Sequence, residues 1–222
     1  MSKIEVHSPG EHTSKSRNFL VAAWLLSATT VAISIAAWTK NYGGHFFPIM
    51  NYQLFPLLGL MAFGLMWAHY MVGTFSNIFE VPGRTFKRYF QYTGYAVLAL
   101  ICLHPGLLIF QRFRDGYGLP PQSYESYVAP GLGWVTLLGT VSFLIFIAYE
   151  FRRVFSQKSW WYLIPAAGDF AMLAILYHGL RLGGELRMEG WFRVVWLFYA
   201  ASLVAVLARS YLLKYQKRQL AA

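Results

Sequence analysis

Six long apolar runs, separated by short polar connections, constrain the fold of this chain more than any other feature. Crossing the hydrocarbon core of a bilayer takes roughly 20 mostly apolar residues in an α-helix. Runs of about that length cover residues 19–38, 54–73, 92–110, 132–149, 161–180 and 191–213. Only 13% of the residues are charged, about half the share in an average soluble domain. The sequence therefore predicts an all-α, polytopic membrane protein: a bundle of six transmembrane helices in contact with the lipid bilayer.

The lysines and arginines predict how these helices are oriented. With the N-terminus in the cytoplasm, thirteen of the 19 basic residues fall on the cytoplasmic side and six on the outer side. The positive-inside rule expects this asymmetry when both termini are cytoplasmic. The net charge of +10 is then a topology signal and indicates no nucleic-acid partner. The predicted organisation is a cytoplasmic tail over 1–18, a transmembrane domain over 19–213 and a cytoplasmic tail over 214–222.

The first run and the longest connection add two narrower predictions. The first run is too long for a signal-peptide core and lacks a small-residue cleavage site, so we interpret it as a retained helix. The longest outer connection, 111–130, contains a Pro-Pro pair and two glycines. These residues are incompatible with a regular helix there.

Three of the six histidines lie inside apolar runs, where ionisable side chains are rare and usually functional. At 1.5 Å rise per residue, His104 lies roughly 18–20 Å from the cytoplasmic end of the third helix, and His178 roughly 25 Å along the fifth. Both helices run outward, so both histidines fall in the outer half of the membrane. His69, on the inward-running second helix, lies about 6 Å from the cytoplasmic face and is too distant to share a cofactor with them.

His104 and His178 are therefore candidates for one shared role. Two neutral imidazoles that face each other inside a helical bundle are suited to axial ligation of a haem iron. The alternative is that each histidine only hydrogen-bonds a backbone carbonyl or a hydroxyl on a neighbouring helix. Depth alone does not decide between these two interpretations.

The surroundings of His104 resemble a known family. Segment 88–108, RYFQYTGYAVLALICLHPGLL, has a basic residue, then Gly and Ala, then a Leu-rich run that ends in His-Pro. This order is similar to the third helix of the ferric-reductase-like transmembrane domain, the family of NADPH oxidases, ferric reductases and bacterial haem subunits of methionine sulfoxide reductase systems. The residues that carry the likeness are Arg88, Gly94, Ala96, His104 and Pro105.

The surroundings of His178 resemble the fifth helix of the same domain. Segment 160–183, WWYLIPAAGDFAMLAILYHGLRLG, has an aromatic start and a histidine followed by a small residue, at Trp161, His178 and Gly179. The preceding Arg152-Arg153 pair is similar to the family's loop between helices four and five. The resemblance covers about residues 53–213 and implies that His104 and His178 are the axial ligands of a haem b.

One departure from the family pattern bears on the number of haems. Many members carry a second, inner histidine on each of these helices and bind two stacked haems. The corresponding positions here hold Phe90 and Gln91 on the third helix, and Ile164, Pro165 and Ala166 on the fifth. The resemblance therefore implies a single-haem variant with one haem per chain.

The resemblance also implies electron transport with partners. Oxidases of the family carry a flavin and nicotinamide domain after the last helix, and no GxGxxG fingerprint follows a strand here. The expected electron donor is a quinol or a flavoprotein, and the expected acceptor lies near the outer face. We expect a cytochrome b subunit of oxidoreductase type in the bacterial cytoplasmic (inner) membrane, with other subunits of a membrane complex as partners.

Four other residues are candidates for supporting roles. Arg112 and Arg181 lie near the outer ends of helices three and five, where an arginine fork suits haem propionates; the alternative is an ordinary interfacial arginine. Asp169 lies about 12 Å from the cytoplasmic end of the fifth helix, at roughly the depth of His69. Since a carboxylate there must be paired or protonated, these two are candidates for a proton or quinone site. The alternative is a structural hydrogen bond of Asp169 across helices.

Two functions of other classes stay open on the sequence alone. The chain could be a non-haem membrane subunit that anchors or scaffolds a larger complex. It could also be a small proton-coupled transporter that uses Asp169 and His69 as a relay. A visible spectrum separates the cytochrome from both, because only a haem protein shows a reduced α band.

Overall fold

The structure, a computed structural model, describes residues 9–41, 51–187 and 190–221. Short helices at Gln122–Glu125, Arg152–Phe155 and Gly184–Arg187 and 3-10 turns at Gly83–Phe86 and Ser159–Tyr162 lie in the connections. Within the described ranges, six helices are long and apolar enough to cross a membrane, which confirms the predicted all-α class and the predicted six long apolar helices. These are α1 (Pro9–Asn41), α2 (Asn51–Ile78), α3 (Lys87–Arg114), α4 (Gly133–Glu150), α5 (Leu163–Leu182) and α6 (Trp191–Ala221).

Successive long helices run in opposite directions, so their ends form two groups. At the end that holds the start of α1, here called the terminal end, the ring of Phe19 packs on those of Phe79 and Phe86 at 5.7 and 5.6 Å. At the opposite end, here called the far end, the Trp38 indole N–H donates to the Gln53 carbonyl at 2.6 Å. The last helix, α6, ends at the terminal end, so α1 starts and α6 finishes on the same side.

The bundle is organised around α2. More than half of the apolar stretch of α2 is buried inside the protein, the largest share among the six helices. It packs against α1, α3 and α6, whereas α4 packs mainly against α5. Stacked aromatic rings join α2 to α6: Phe63 lies on Trp196 at 4.4 Å and Trp67 on Tyr199 at 4.5 Å. The helices therefore form two close hairpins, α2–α3 and α4–α5, with α6 in contact with both.

The helices extend beyond the apolar runs that predicted them. Since α1 begins at Pro9, part of the predicted 1–18 tail is helical, and residues 1–8 lie outside the described residues. The expectation of no regular helix over 111–130 is wrong at two places, because a short helix covers Gln122–Glu125 and α3 continues to Arg114. It stops where Gly116 takes a φ of +85° and the Tyr117 amide donates to the Arg112 carbonyl at 3.0 Å, a capping pattern that favours glycine.

Candidate functional site

His104 projects from α3 onto α2, near the far end. Its Nδ1 lies 2.6 Å from the carbonyl oxygen of Phe55, and the two side-chain rings lie 5.4 Å apart. A carbonyl oxygen can only accept, so Nδ1 carries the proton. In the neutral imidazole the other nitrogen, Nε2, then has a free lone pair. The contact with α2 therefore selects the tautomer that can bind a metal through Nε2.

His178 has the same arrangement in the other hairpin. It lies one turn before the end of α5, and its Nδ1 is 2.8 Å from the carbonyl oxygen of Val135 on α4. The same reasoning places the proton on Nδ1 and a lone pair on Nε2. Both carbonyl acceptors lie near the far-end starts of their helices, so the structure places both histidines in the far half of the bundle.

A glycine makes room for each imidazole. A Cβ built on Gly59 would lie 2.7 Å from Cε1 and 2.8 Å from Nδ1 of His104. A Cβ built on Gly139 would lie at the same two distances from the same atoms of His178. Each glycine follows its carbonyl acceptor by four residues, which is one helical turn along the same face. Any larger residue at either position would push the ring from its hydrogen bond.

The two imidazoles belong to different hairpins and lie in the same half of the bundle. Each is half-buried. α3 and α5 each pack closely on another helix and make little contact with one another. Two imidazole nitrogens match the axial donor set of a haem, whose porphyrin supplies the other four ligands.

The acidic and thiol side chains of the described residues add no further metal ligands to the histidine pair. Within the described ranges, no group of three or more His, Cys, Asp or Glu side chains is placed to hold a metal ion. A two-histidine set alone is too small for a structural zinc site, which takes four protein ligands.

The two predicted propionate partners have different surroundings. Arg112 is only 6% exposed, hydrogen-bonds the Ser126 hydroxyl and lies over the Tyr117 ring at 3.4 Å, while its Nε has no hydrogen-bond partner. Arg181 lies three residues after His178 and is exposed. Arg112 therefore helps to fix the far-end connection, and Arg181 is the more accessible cation near the histidine pair.

Two carboxyl groups outside the spans have shifted pKa values. Hydrogen bonds from Tyr52 and Gln111, at 2.6 and 2.8 Å, hold the pKa of Asp115 below its ordinary value. Burial in the short helix after α5 raises the pKa of Glu185. Asp115 therefore stays ionised in the far-end connection, where it also interacts with Arg112.

His69 and Asp169 have separate partners. His69 Nε2 lies 2.6 Å from the Thr93 hydroxyl of α3, and that hydroxyl donates to the Tyr89 carbonyl. Asp169 accepts hydrogen bonds from Tyr70 of α2 at 2.8 Å and from Tyr211 of α6 at 2.9 Å. The predicted pair is thus divided between two networks, and a joint proton or quinone role for it stays a prediction.

Several residues in these networks were not predictable from the sequence. No sequence pattern assigned a functional role to Gly59 or Gly139. The carbonyls of Phe55 and Val135 are backbone groups, which no residue type marks. Nothing in the sequence singled out Tyr70 or Tyr211. Glycines that fall inside an apolar run of a histidine-containing bundle are the one signal that could have indicated the two close contacts.

Comparisons of the chain with protein-family models, with curated proteins and with solved structures find no match. The likeness to the ferric-reductase-like transmembrane domain therefore stays a prediction that depends on the motifs around His104 and His178.

Proposed function

We propose that the protein is a membrane b-type cytochrome that binds one haem through His104 and His178. The observation that supports this most directly is the shared geometry of the two imidazoles. Each donates Nδ1–H to a backbone carbonyl, the outer-shell contact that metal-ligating histidines make almost without exception. A histidine with a purely structural role could also make a single hydrogen bond of this kind. Two rings with the same hydrogen bond and a free Nε2, both in one half of the bundle, favour a shared ligand.

The chain's own residues would position the haem and tune the properties of its iron. When bound, haem supplies a one-electron iron couple. The carbonyls of Phe55 and Val135 fix the ring orientations and raise the basicity of the ligand nitrogens. Trp196 packs against Gly179 and donates to the Leu176 carbonyl at 3.3 Å, so α6 holds α5 in place beside His178. Arg181 is the accessible cation for a propionate.

The orientation and location belong to the same proposal. The thirteen-to-six distribution of basic residues supports cytoplasmic termini, with the terminal end of the bundle inside and the histidine pair in the outer half. The proposed location is the bacterial cytoplasmic membrane. Electrons would come from a quinol or a flavoprotein and pass to an acceptor near the outer face.

The test of the proposal is the visible spectrum of the purified protein. A dithionite-reduced sample should show the narrow α band of a low-spin b-type haem. Protein that is folded and monodisperse yet lacks this band after expression with added haem precursor would contradict the proposal. That result would favour a scaffold or a transporter.

We expect one haem per chain. In the terminal half, Phe90 packs edge-on against His69 at 5.3 Å, and Pro165 lies in the first turn of α5, so neither inner position offers a normal haem ligand. A pyridine haemochromogen assay combined with quantitative amino-acid analysis should give a ratio near unity. A ratio of two haems per polypeptide would contradict this expectation and would require His69 as a ligand.

We also expect that NADPH alone will not reduce the purified, haem-loaded chain. Hydride transfer from a nicotinamide needs a two-electron acceptor such as a flavin, held by a nucleotide-binding fold. Such folds contain a parallel sheet, whereas the residues described by the structure form helices, turns and loops only. Stopped-flow spectroscopy at the α band should show no fast phase with NADPH. Rapid reduction without an added flavoprotein would overturn this prediction.

A further inference from the structure

A groove separates α5 from α6 in the terminal half of the bundle. It encloses about 290 Å³ and is lined by matching faces of the two helices. Small side chains, Ala166 and Ala208, leave the space open, and Phe170 and Tyr211 border it with aromatic rings. Its volume is close to the lower end of the range for small-molecule sites, roughly 300 Å³. The groove is therefore large enough for one ring-sized group.

Among the described residues, Asp169 is the one charged residue that lines this groove. Its two carboxylate oxygens each accept one tyrosine hydroxyl, from Tyr70 and from Tyr211. Each oxygen still has a second lone pair. The groove thus offers an acceptor of hydrogen bonds within an otherwise apolar wall, and it selects a ligand that donates a hydroxyl and is apolar elsewhere.

The groove opens on the outer surface of the bundle. Phe170 is 76% exposed and Val204 is 52% exposed, on helices apolar enough to span a membrane. A ligand would therefore enter sideways from the hydrocarbon region and must itself be lipid-soluble. At the terminal end, Lys214 lies 4.7 Å from the Tyr211 ring, which marks the edge of the apolar region.

We propose that this groove binds the hydroxylated ring of a membrane hydroquinone, with a ring hydroxyl donating to Asp169 and the tail in the lipid. The contact chemistry alone fits any hydrophobic alcohol. The choice of a hydroquinone rests on the proposed function, because a cytochrome in this membrane needs a lipid-soluble electron donor. His69 has no part in this site, since its imidazole contacts Thr93 on α3.

The binding test uses the full chain in phosphatidylcholine nanodiscs. The probe is decylubiquinol kept reduced under anaerobic conditions, and the measurement is its Kd by calorimetry. A photoreactive azidoquinone, followed by peptide mass spectrometry, locates the site independently. We expect saturable binding at one site and labelling within residues 163–173 and 204–211.

Two kinds of variant test the contacts. Asp169→Asn removes the charged acceptor and should weaken binding about tenfold or more, the usual size of a hydrogen bond to a charged group. Ala208→Leu leaves the carboxylate intact and should block binding by filling the groove. Tyr215→Phe, one turn beyond Tyr211 and 62% exposed, is the matched control and should bind as the unmodified chain does.

Each outcome decides the proposal. Unchanged affinity in both Asp169→Asn and Ala208→Leu, or labelling confined to other helices, would overturn it. Competition by decanol as strong as by decylubiquinol would show a general site for hydroxylated lipids and would also overturn it. The haem spectrum of the same samples separates the two proposals. A normal spectrum without quinol binding would contradict only the proposed quinol site. Quinol binding without a haem spectrum would contradict only the proposed cytochrome function.

Discussion

Replacing either His104 or His178 by alanine should abolish the low-spin haem spectrum of the purified protein. A bis-histidine iron owes its low-spin state to both axial nitrogens. In the proposed site each hairpin supplies one of them, from α3 and from α5, and no described cluster of metal-binding side chains could replace the missing one. Haem content should fall at least tenfold, the lower range for loss of a group that supports a metal site. The measurement is the ratio of the α band to protein.

His69→Ala is the matched control for these two variants. It removes an imidazole that is also half-buried and also hydrogen-bonded to a neighbouring helix, so it reproduces the structural disturbance without touching the proposed ligands. It should keep its haem. Loss of haem in His69→Ala together with a normal spectrum in His178→Ala would show that the ligand assignment is wrong.

Chemical rescue distinguishes ligation from packing. In His104→Gly, free imidazole can enter the space left by the ring and supply a nitrogen to the iron. Added imidazole should then restore the low-spin spectrum in a concentration-dependent way. A purely structural role for His104 predicts no such restoration, because free imidazole would not rebuild the contact between α3 and α2.

Depth along the helices was predictable from the sequence, and rotation about them was not. The rise per residue of an α-helix is fixed, so counting from the ends of the apolar runs places His104 and His178 in the same half and His69 in the other half. Which neighbour a side chain meets depends on how each helix is turned. His69 and Tyr70 are consecutive, and successive residues point about 100° apart. Tyr70 therefore reaches Asp169 while His69 contacts Thr93.

The two hairpins share one local device, which only the packed structure reveals. In each, a helix that starts at the far end presents a carbonyl in its first turns and a glycine one turn later, and the returning helix places a histidine against both. Apolar runs predict such helices but not their partners, because almost any small residue is compatible with the hydrophobic pattern. The need for glycine at these two positions is visible only from the short distance between each glycine and the imidazole ring.

Gly59→Ala and Gly139→Ala should each lose most of the bound haem while the protein still folds. The added Cβ would lie 2.7 Å from the imidazole, far inside normal contact distance. The ring must rotate away, which breaks the Nδ1 hydrogen bond and turns Nε2 from its position. A loss of 10- to 100-fold in metal affinity is typical when such an outer-shell contact goes, on the order given for metal sites. Helical stability should not suffer, since alanine is favoured over glycine by about 1 kcal/mol in a helix.

Gly106→Ala and Gly168→Ala are the matched controls, one on each helix that carries a histidine. A Cβ at either position meets no atom within 4 Å, so both variants should bind haem as the unmodified chain does. Haem-to-protein ratio reports the site, and the thermal midpoint of the haem-free protein reports the fold. Full haem occupancy in both Gly59→Ala and Gly139→Ala would contradict the proposed ligand geometry. Reduced occupancy with an unchanged midpoint is the expected result, because the clash is with the histidine ring and not with the backbone of the neighbouring helix.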